Sequence, residues 1–159
     1  MERILSICAV HEDITDEHLH DVYSDSYIIA KIGHDHRPAA PISHPLVTYL
    51  TATVDGAFAG AFLFVKRNAC DLEMHALLKR SVVQHSRDLG RAAIDWGFEH
   101  HSVLRISAPV IEGLESARNY GLRIGMKQEG FMRDVCTQGG IIKGIYLLAI
   151  TRRDWESKS

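Results

Sequence analysis

At the centre of the stretch from Lys79 to His101, KRSVVQHSRDLGRAAIDWGFEHH, stand six residues that decide how the rest is read: Arg87-Asp88-Leu89-Gly90-Arg91-Ala92. Upstream, Asp71 to Leu78 alternates as a strand does, with Leu72, Met74, Ala76 and Leu78 on one face and Asp71, Glu73 and His75 on the other. A polar, basic loop over Lys79–Asp88 then opens into a helix that runs to about His101. The six residues therefore lie between a strand and the mouth of a helix. Such a mouth offers unpaired backbone N–H groups and the positive end of the helix dipole, both suited to a phosphate. Gly90 and Ala92 are small enough for a pyrophosphate to approach the backbone, and Arg87 and Arg91 add charge, with Lys79 and Arg80 just upstream.

Working outward, Val47–Val54 and Ala57–Val65 flank Asp55-Gly56, a strong short-range hairpin signal. An opening strand is expected over Arg3–Val10, then one or two short helices between Thr15 and Lys31. Thr15 suits a helix start with Glu17 and His18 behind it, without the Glu or Gln spacing of a capping box. Gly33 to Pro45 carries Pro38, Pro41 and Pro45 and reads as irregular. Downstream we expect a strand at Val103–Ala108, a helix at Gly113–Ile124, and strands at about Gln128–Cys136 and Gly144–Thr151 around a Gln138-Gly139-Gly140 turn. This order predicts an α/β (mixed α+β) domain: a mixed sheet of six or seven strands with helices on both faces. One domain is expected over the 159 residues.

Composition narrows the function classes. With 46% hydrophobic and 24% charged residues the chain is of ordinary globular type, and a net charge of −2 argues against a nucleic-acid or membrane-surface partner. No window reaches the ~20 apolar residues of a membrane span. Cys8, Cys70 and Cys136 are far apart and form no CxxC pair, so a reducing, cytoplasmic compartment is expected. The segment His11–Arg37 holds His18-Leu19-His20 and His34-Asp35-His36, yet no Cys/His cluster at metal spacing accompanies them, and no metal site is expected. The same segment carries seven acidic residues, Glu12, Asp13, Asp16, Glu17, Asp21, Asp25 and Asp35.

Arg87–Ala92 resembles the R/Q-x-x-G-x-G/A pyrophosphate motif of the GNAT (GCN5-related) N-acetyltransferases. Ala93-Ile94-Asp95-Trp96-Gly97-Phe98-Glu99 and Leu104-Arg105-Ile106 are similar to the subgroup that acetylates ribosomal-protein N-termini. So are Gly125 to Asp134, which looks like G-F-x-x-E-G-x-x-R-D, and Tyr146 to Trp155, which looks like that subgroup's last strand. The resemblance spans about Val47 to Trp155, and the size also resembles short GNAT-like chains of tailed phages.

The resemblance implies a twisted sheet whose middle strands splay to admit acetyl-CoA as co-substrate. Leu78, Lys79, Arg80 and Val82 would line the pantetheine channel, and Arg87, Leu89, Gly90, Arg91 and Ala92 would hold the pyrophosphate. It implies direct acetyl transfer to a primary amine of a small molecule or protein. Glu73 is the candidate base and His75, on the same strand face, the second; Tyr120 is the candidate acid. The tyrosine position of the family motif falls on Gly121, with Tyr120 one step earlier and ~100° around a helix. The acidic segment would rim the acceptor side, and Glu129 is expected to pair with an arginine such as Arg133. The alternative is a non-catalytic GNAT-fold protein in binding or assembly, as in a phage particle, and the likeness also suggests a homodimer or assembly partner.

Overall fold

The computed structural model describes residues 5–158. Its first turn is where the sequence places it: Asp55 and Gly56 take positive φ (51° and 80°), the geometry whose twist matches two antiparallel strands. They join β2 (Val47–Val54) to β3 (Ala57–Lys66). Asp55 also accepts the Ile7 amide at 2.7 Å, just before β1 (Cys8–His11), which pairs antiparallel with β2. The opening strand is thus shorter than expected and begins later; Arg3 and Ile4 lie outside the described residues.

Thr15 N-caps α1 (Asp16–Tyr23). Contrary to expectation a capping box does form: Thr15 Oγ1 accepts the His18 amide at 3.1 Å, and His18 Nδ1 accepts the Thr15 amide at 3.2 Å. Imidazole has an acceptor nitrogen and does what Glu or Gln does in the usual box. Asp25 caps the short α2 (Ser26–Ile29) through the amides of Tyr27 and Ile28.

β4 (Asp71–Leu78) follows β3, and the expected polar loop is largely a 3-10 helix at Arg80–His85 that runs into α3 (Ser86–His100). Helix thus starts before the six-residue motif, which occupies its first two turns. β5 spans Arg105–Ile111, later than Val103–Ala108, because a proline at 109 did not end it. α4 (Glu115–Arg123), β6 (Lys127–Gln138) and β7 (Ile141–Thr151) follow, the two strands joined by Gly139 and Gly140 at φ 58° and 78°. α4 begins two residues late, since Gly113 lies at φ 92° outside the helix. Arg152–Glu156, read as strand by resemblance, forms α5, N-capped by Thr151.

Seven strands make one mixed sheet in the order β1-β2-β3-β4-β5-β7-β6, antiparallel except for β4 beside β5. Both faces are covered. Leu50, Phe62, Phe64, Leu72, Met74 and Ile106 pack under Leu89, Ala93, Trp96 and Phe98 of α3; Tyr49, Ala61, Leu63 and Leu77 pack under Val22 and Ile28 of α1 and α2. Full burial of a large side chain there contributes roughly 1.5–3 kcal/mol. No helix among the described residues is long and apolar enough to cross a membrane.

Candidate active site

The β4–β5 ladder covers only Asp71–Glu73 against Arg105–Ser107, and then the strands part. The register explains why. Arg152 N donates to Leu104 O and Glu112 N to Gly144 O, so even-numbered residues of β5 turn their backbone groups to β7 and odd-numbered ones to β4. After Glu73↔Ser107, which the Met74 amide closes onto Ser107 O, the next inter-strand donor would be the amide of residue 109, and Pro109 has none. On β4, Lys79 N donates to Ala59 O, which turns the odd-numbered groups to β3. Alternation then leaves the C=O of Met74 and the N–H and C=O groups of Ala76 and Leu78 facing the gap.

That gap holds a cavity of about 150 Å³. Met74, Ala76 and Leu78 form one wall, Ala108, Pro109 and Val110 the other, with Tyr120 and Ile124 from α4 and Ile28 and Ile32 from the α2 side. Its charged and titratable lining is His75, Lys31, Lys79 and Arg123; no aspartate or glutamate lines it. Three acidic residues of the segment His11–Arg37 are engaged elsewhere. Asp21 pairs with Lys79 at 2.7 Å, Asp25 caps α2, and Asp35 accepts from the amides of Gly139 and Gly140 and from Thr137 Oγ1.

Glu73 and His75 are brought together. Glu73 is only 6% exposed and lies at the last β4–β5 pair. Its Oε2 accepts His75 Nε2–H at 2.8 Å, and Arg67 Nε lies 3.3 Å from Oε1. Burial alone pushes this carboxyl up. The His75 hydrogen bond and charge, with the Arg67 and Arg37 guanidiniums, outweigh burial and hold it below the usual carboxylate range. Glu73 thus sits behind His75, and His75 faces the cavity.

Tyr120 lines the cavity, but its hydroxyl donates to Ser86 O at 2.9 Å, tying α4 to the start of α3. Burial pushes its phenol well above the ordinary value. Gly90 belongs to the same contact. A Cβ there would overlap Tyr120 Oη and stand 2.8 Å from Ile124 Cγ2, so the glycine admits α4. Gly121, at the family's tyrosine position, faces β7, and a Cβ on it would lie 2.5 Å from Leu148 Cδ1.

Of the other expected phosphate-side residues, Leu89 is buried in the core, while Arg87 and Arg91 are exposed and Ala92 and Val82 are half-buried. Arg80 lies over the Tyr27 ring at 6.0 Å, and Lys79 over Phe58 at 5.2 Å. Glu129 pairs with Arg105, not Arg133, because β5 and not β6 itself brings the cation alongside. Sequence reasoning missed Arg67, which follows β3 with no motif to mark it. It also missed Pro109, whose signal was a proline inside an otherwise strand-like run. Among the described residues no group of three or more His, Cys, Asp or Glu side chains is placed to hold a metal ion.

No protein-family model and no curated protein matches the chain in sequence. Solved structures do match in shape. A spermidine N-acetyltransferase from Vibrio cholerae, in complex with CoA and spermine, superposes with a TM-score of 0.78 at 12% identity, over 94% of this chain and 98% of that one. An aminoglycoside acetyltransferase in complex with coenzyme A gives 0.76 at 16% identity, over 96% and 100%. A GNAT-family acetyltransferase from Bacillus anthracis gives 0.71 at 16%, over 92% and 95%. With its seven-stranded mixed sheet parted between β4 and β5, the chain has the GNAT fold.

Proposed function

We propose that the chain moves an acetyl group from acetyl-CoA directly to a primary amine. One observation carries the reading: the wedge between β4 and β5 opens where the buried Glu73–His75 pair stands. CoA in two of the structural neighbours, beside spermine in one, supports it. The cavity fits a pantetheine arm: apolar walls for the chain, and the Met74 carbonyl with the open backbone groups of Ala76 and Leu78 for its amides. Arg80, Arg87 and Arg91 supply positive charge for the phosphates, with the start of α3, while Lys79 is paired with Asp21.

Acetyl-CoA supplies an activated acyl group: a C–N bond forms, the C–S bond breaks, and CoA leaves as its thiolate. An amine of pKa ~10.4 is mostly protonated at neutral pH, so a base must first take a proton. His75 is that base. Its Nε2–H is held by an ionised Glu73, which leaves Nδ1 as the accepting atom and offsets the imidazolium charge that follows. An N–H on the open edge of β4 is the donor for the oxyanion. Tyr120 holds α4 in place, the thiolate takes its proton from the imidazolium, and the second proton of the original ammonium leaves to solvent as the tetrahedral intermediate collapses to the amide.

The test is a thermal-shift titration with CoA and acetyl-CoA, followed by thiol release with an amine panel. Binding to the folded state at ~100 times Kd adds ~2.7 kcal/mol, a clear rise in Tm, which Arg87→Glu should reduce. A rise with thiol release supports the reading. A rise with no release for any amine favours a non-catalytic CoA-binding module, and no rise ends the acetyltransferase reading and leaves the binding or assembly alternative.

A further inference from the structure

We infer that the acceptor is a primary amine that also carries an anionic group, a carboxylate or a phosphate. The inference rests on the acetyltransferase reading and narrows it. The two sides of the cavity differ in origin. Arg123 comes from α4, on the face that carries α3 and the CoA phosphates; Lys31 comes from the turn after α2, on the opposite face with His75. An acceptor reaches His75 from that second face.

What it meets there is positive. Lys31 Nζ stands 3.9 Å from the centre of the Tyr27 ring, and among the described residues no carboxylate lies within 4 Å of it. Lys79 is neutralised by Asp21. Glu73 is the carboxylate nearest the base, and its charge is already matched by Arg67 at 3.3 Å and His75 at 2.8 Å, with Arg37 in electrostatic reach. No acidic side chain lines the cavity beside Lys31. A polycation would bring like charge to Lys31, whereas an anionic group beside the amine complements it and points the amine at His75. The contrast is with the neighbour that holds spermine.

The experiment measures kcat/KM for acetyl transfer with matched acceptors: phenylalanine against phenylalaninamide, phosphoethanolamine against ethanolamine, and spermidine. CoA binding is read separately by Tm. The amide has the less basic amine and starts with an advantage, so a preference for the acid is informative. We expect the anionic member of at least one pair to be tenfold or more better than its mate, and spermidine to be the poorest; the larger ratio tells carboxylate from phosphate. Lys31→Gln should then raise KM for that acceptor at least fivefold with the CoA-induced Tm rise unchanged, and Lys31→Glu should move the preference toward spermidine. Turnover with spermidine equal to or better than the anionic amines, or with no dependence on charge, overturns this inference alone. A CoA shift without turnover of any acceptor, or no CoA shift, overturns it together with the acetyltransferase reading.

Discussion

Strand β4 has two unlike edges. Toward β3 it is paired from Leu72 to Leu78; toward β5 it is paired only from Asp71 to Glu73. One edge holds the sheet together, and the other leaves backbone groups free for a ligand. The comparison separates stability from binding within a single strand, and variants on the two edges should fail in different ways.

The largest expected effect is on the open edge. His75→Ala should lower kcat by 10²–10⁴, about 3–5 kcal/mol of barrier, with the CoA shift near wild type and a smaller loss of stability as Glu73 loses its partner. On the paired edge, Gly60 sits at φ 132° with its α-carbon against Leu77 and Leu78. Gly60→Ala should cost roughly 1–3 kcal/mol of stability in urea unfolding while the folded fraction keeps its kcat. Equal losses of activity and stability in both variants would dissolve the distinction.

Gly90→Ala probes the floor of the wedge. The added methyl overlaps Tyr120 Oη, so about 1–3 kcal/mol of stability should be lost, partly restored when Tyr120→Phe is added. Restoration places the role of Gly90 in helix packing; loss of CoA binding without loss of stability would assign it to the phosphate instead. A smaller effect is expected from Glu73→Gln on the acid limb of stability. Because the folded carboxyl is held below its ordinary value, its contribution is complete above that value and disappears as pH falls through the folded one. Wild type and variant should therefore converge in acid, and a constant gap across pH would contradict the pairing. Smallest of all, Pro109→Ala should leave stability within about 1 kcal/mol, a ladder bond gained against the stiffness of proline lost. It should nonetheless weaken CoA binding, since the new amide can reach Met74 O and close the wedge by one bond.

Much of this frame is legible in the sequence, and what is missed has a common cause. The Asp55-Gly56 hairpin and the bounds of β4 follow from turn chemistry and alternation, which are local. Glu73 and His75 stand on one strand face by the same alternation, and their meeting could be read before the structure. Pro109 is harder: a proline ends a strand only where its missing N–H faces a partner, and that depends on register. The histidine in the α1 cap, the packing role of Gly90 and the Arg105–Glu129 pair depend on neighbours that periodicity does not name. In the acidic segment three of the seven charges go to a cap, a lysine and a distant turn, which charge counting does not name.

That distant turn gives the cleft an order of assembly. Asp35 binds Gly139 and Gly140 across 104 and 105 residues, and Arg37 lies two residues beyond it. Closing so long a loop is entropically costly and comes late in folding. A chain emerging from synthesis can form β1 to β4, and with them the Glu73–His75 pair, well before the β6–β7 turn exists. The segment around Asp35, with Arg37 in electrostatic reach of Glu73, has to wait for residue 140, so the surroundings of the Glu73–His75 pair are completed last.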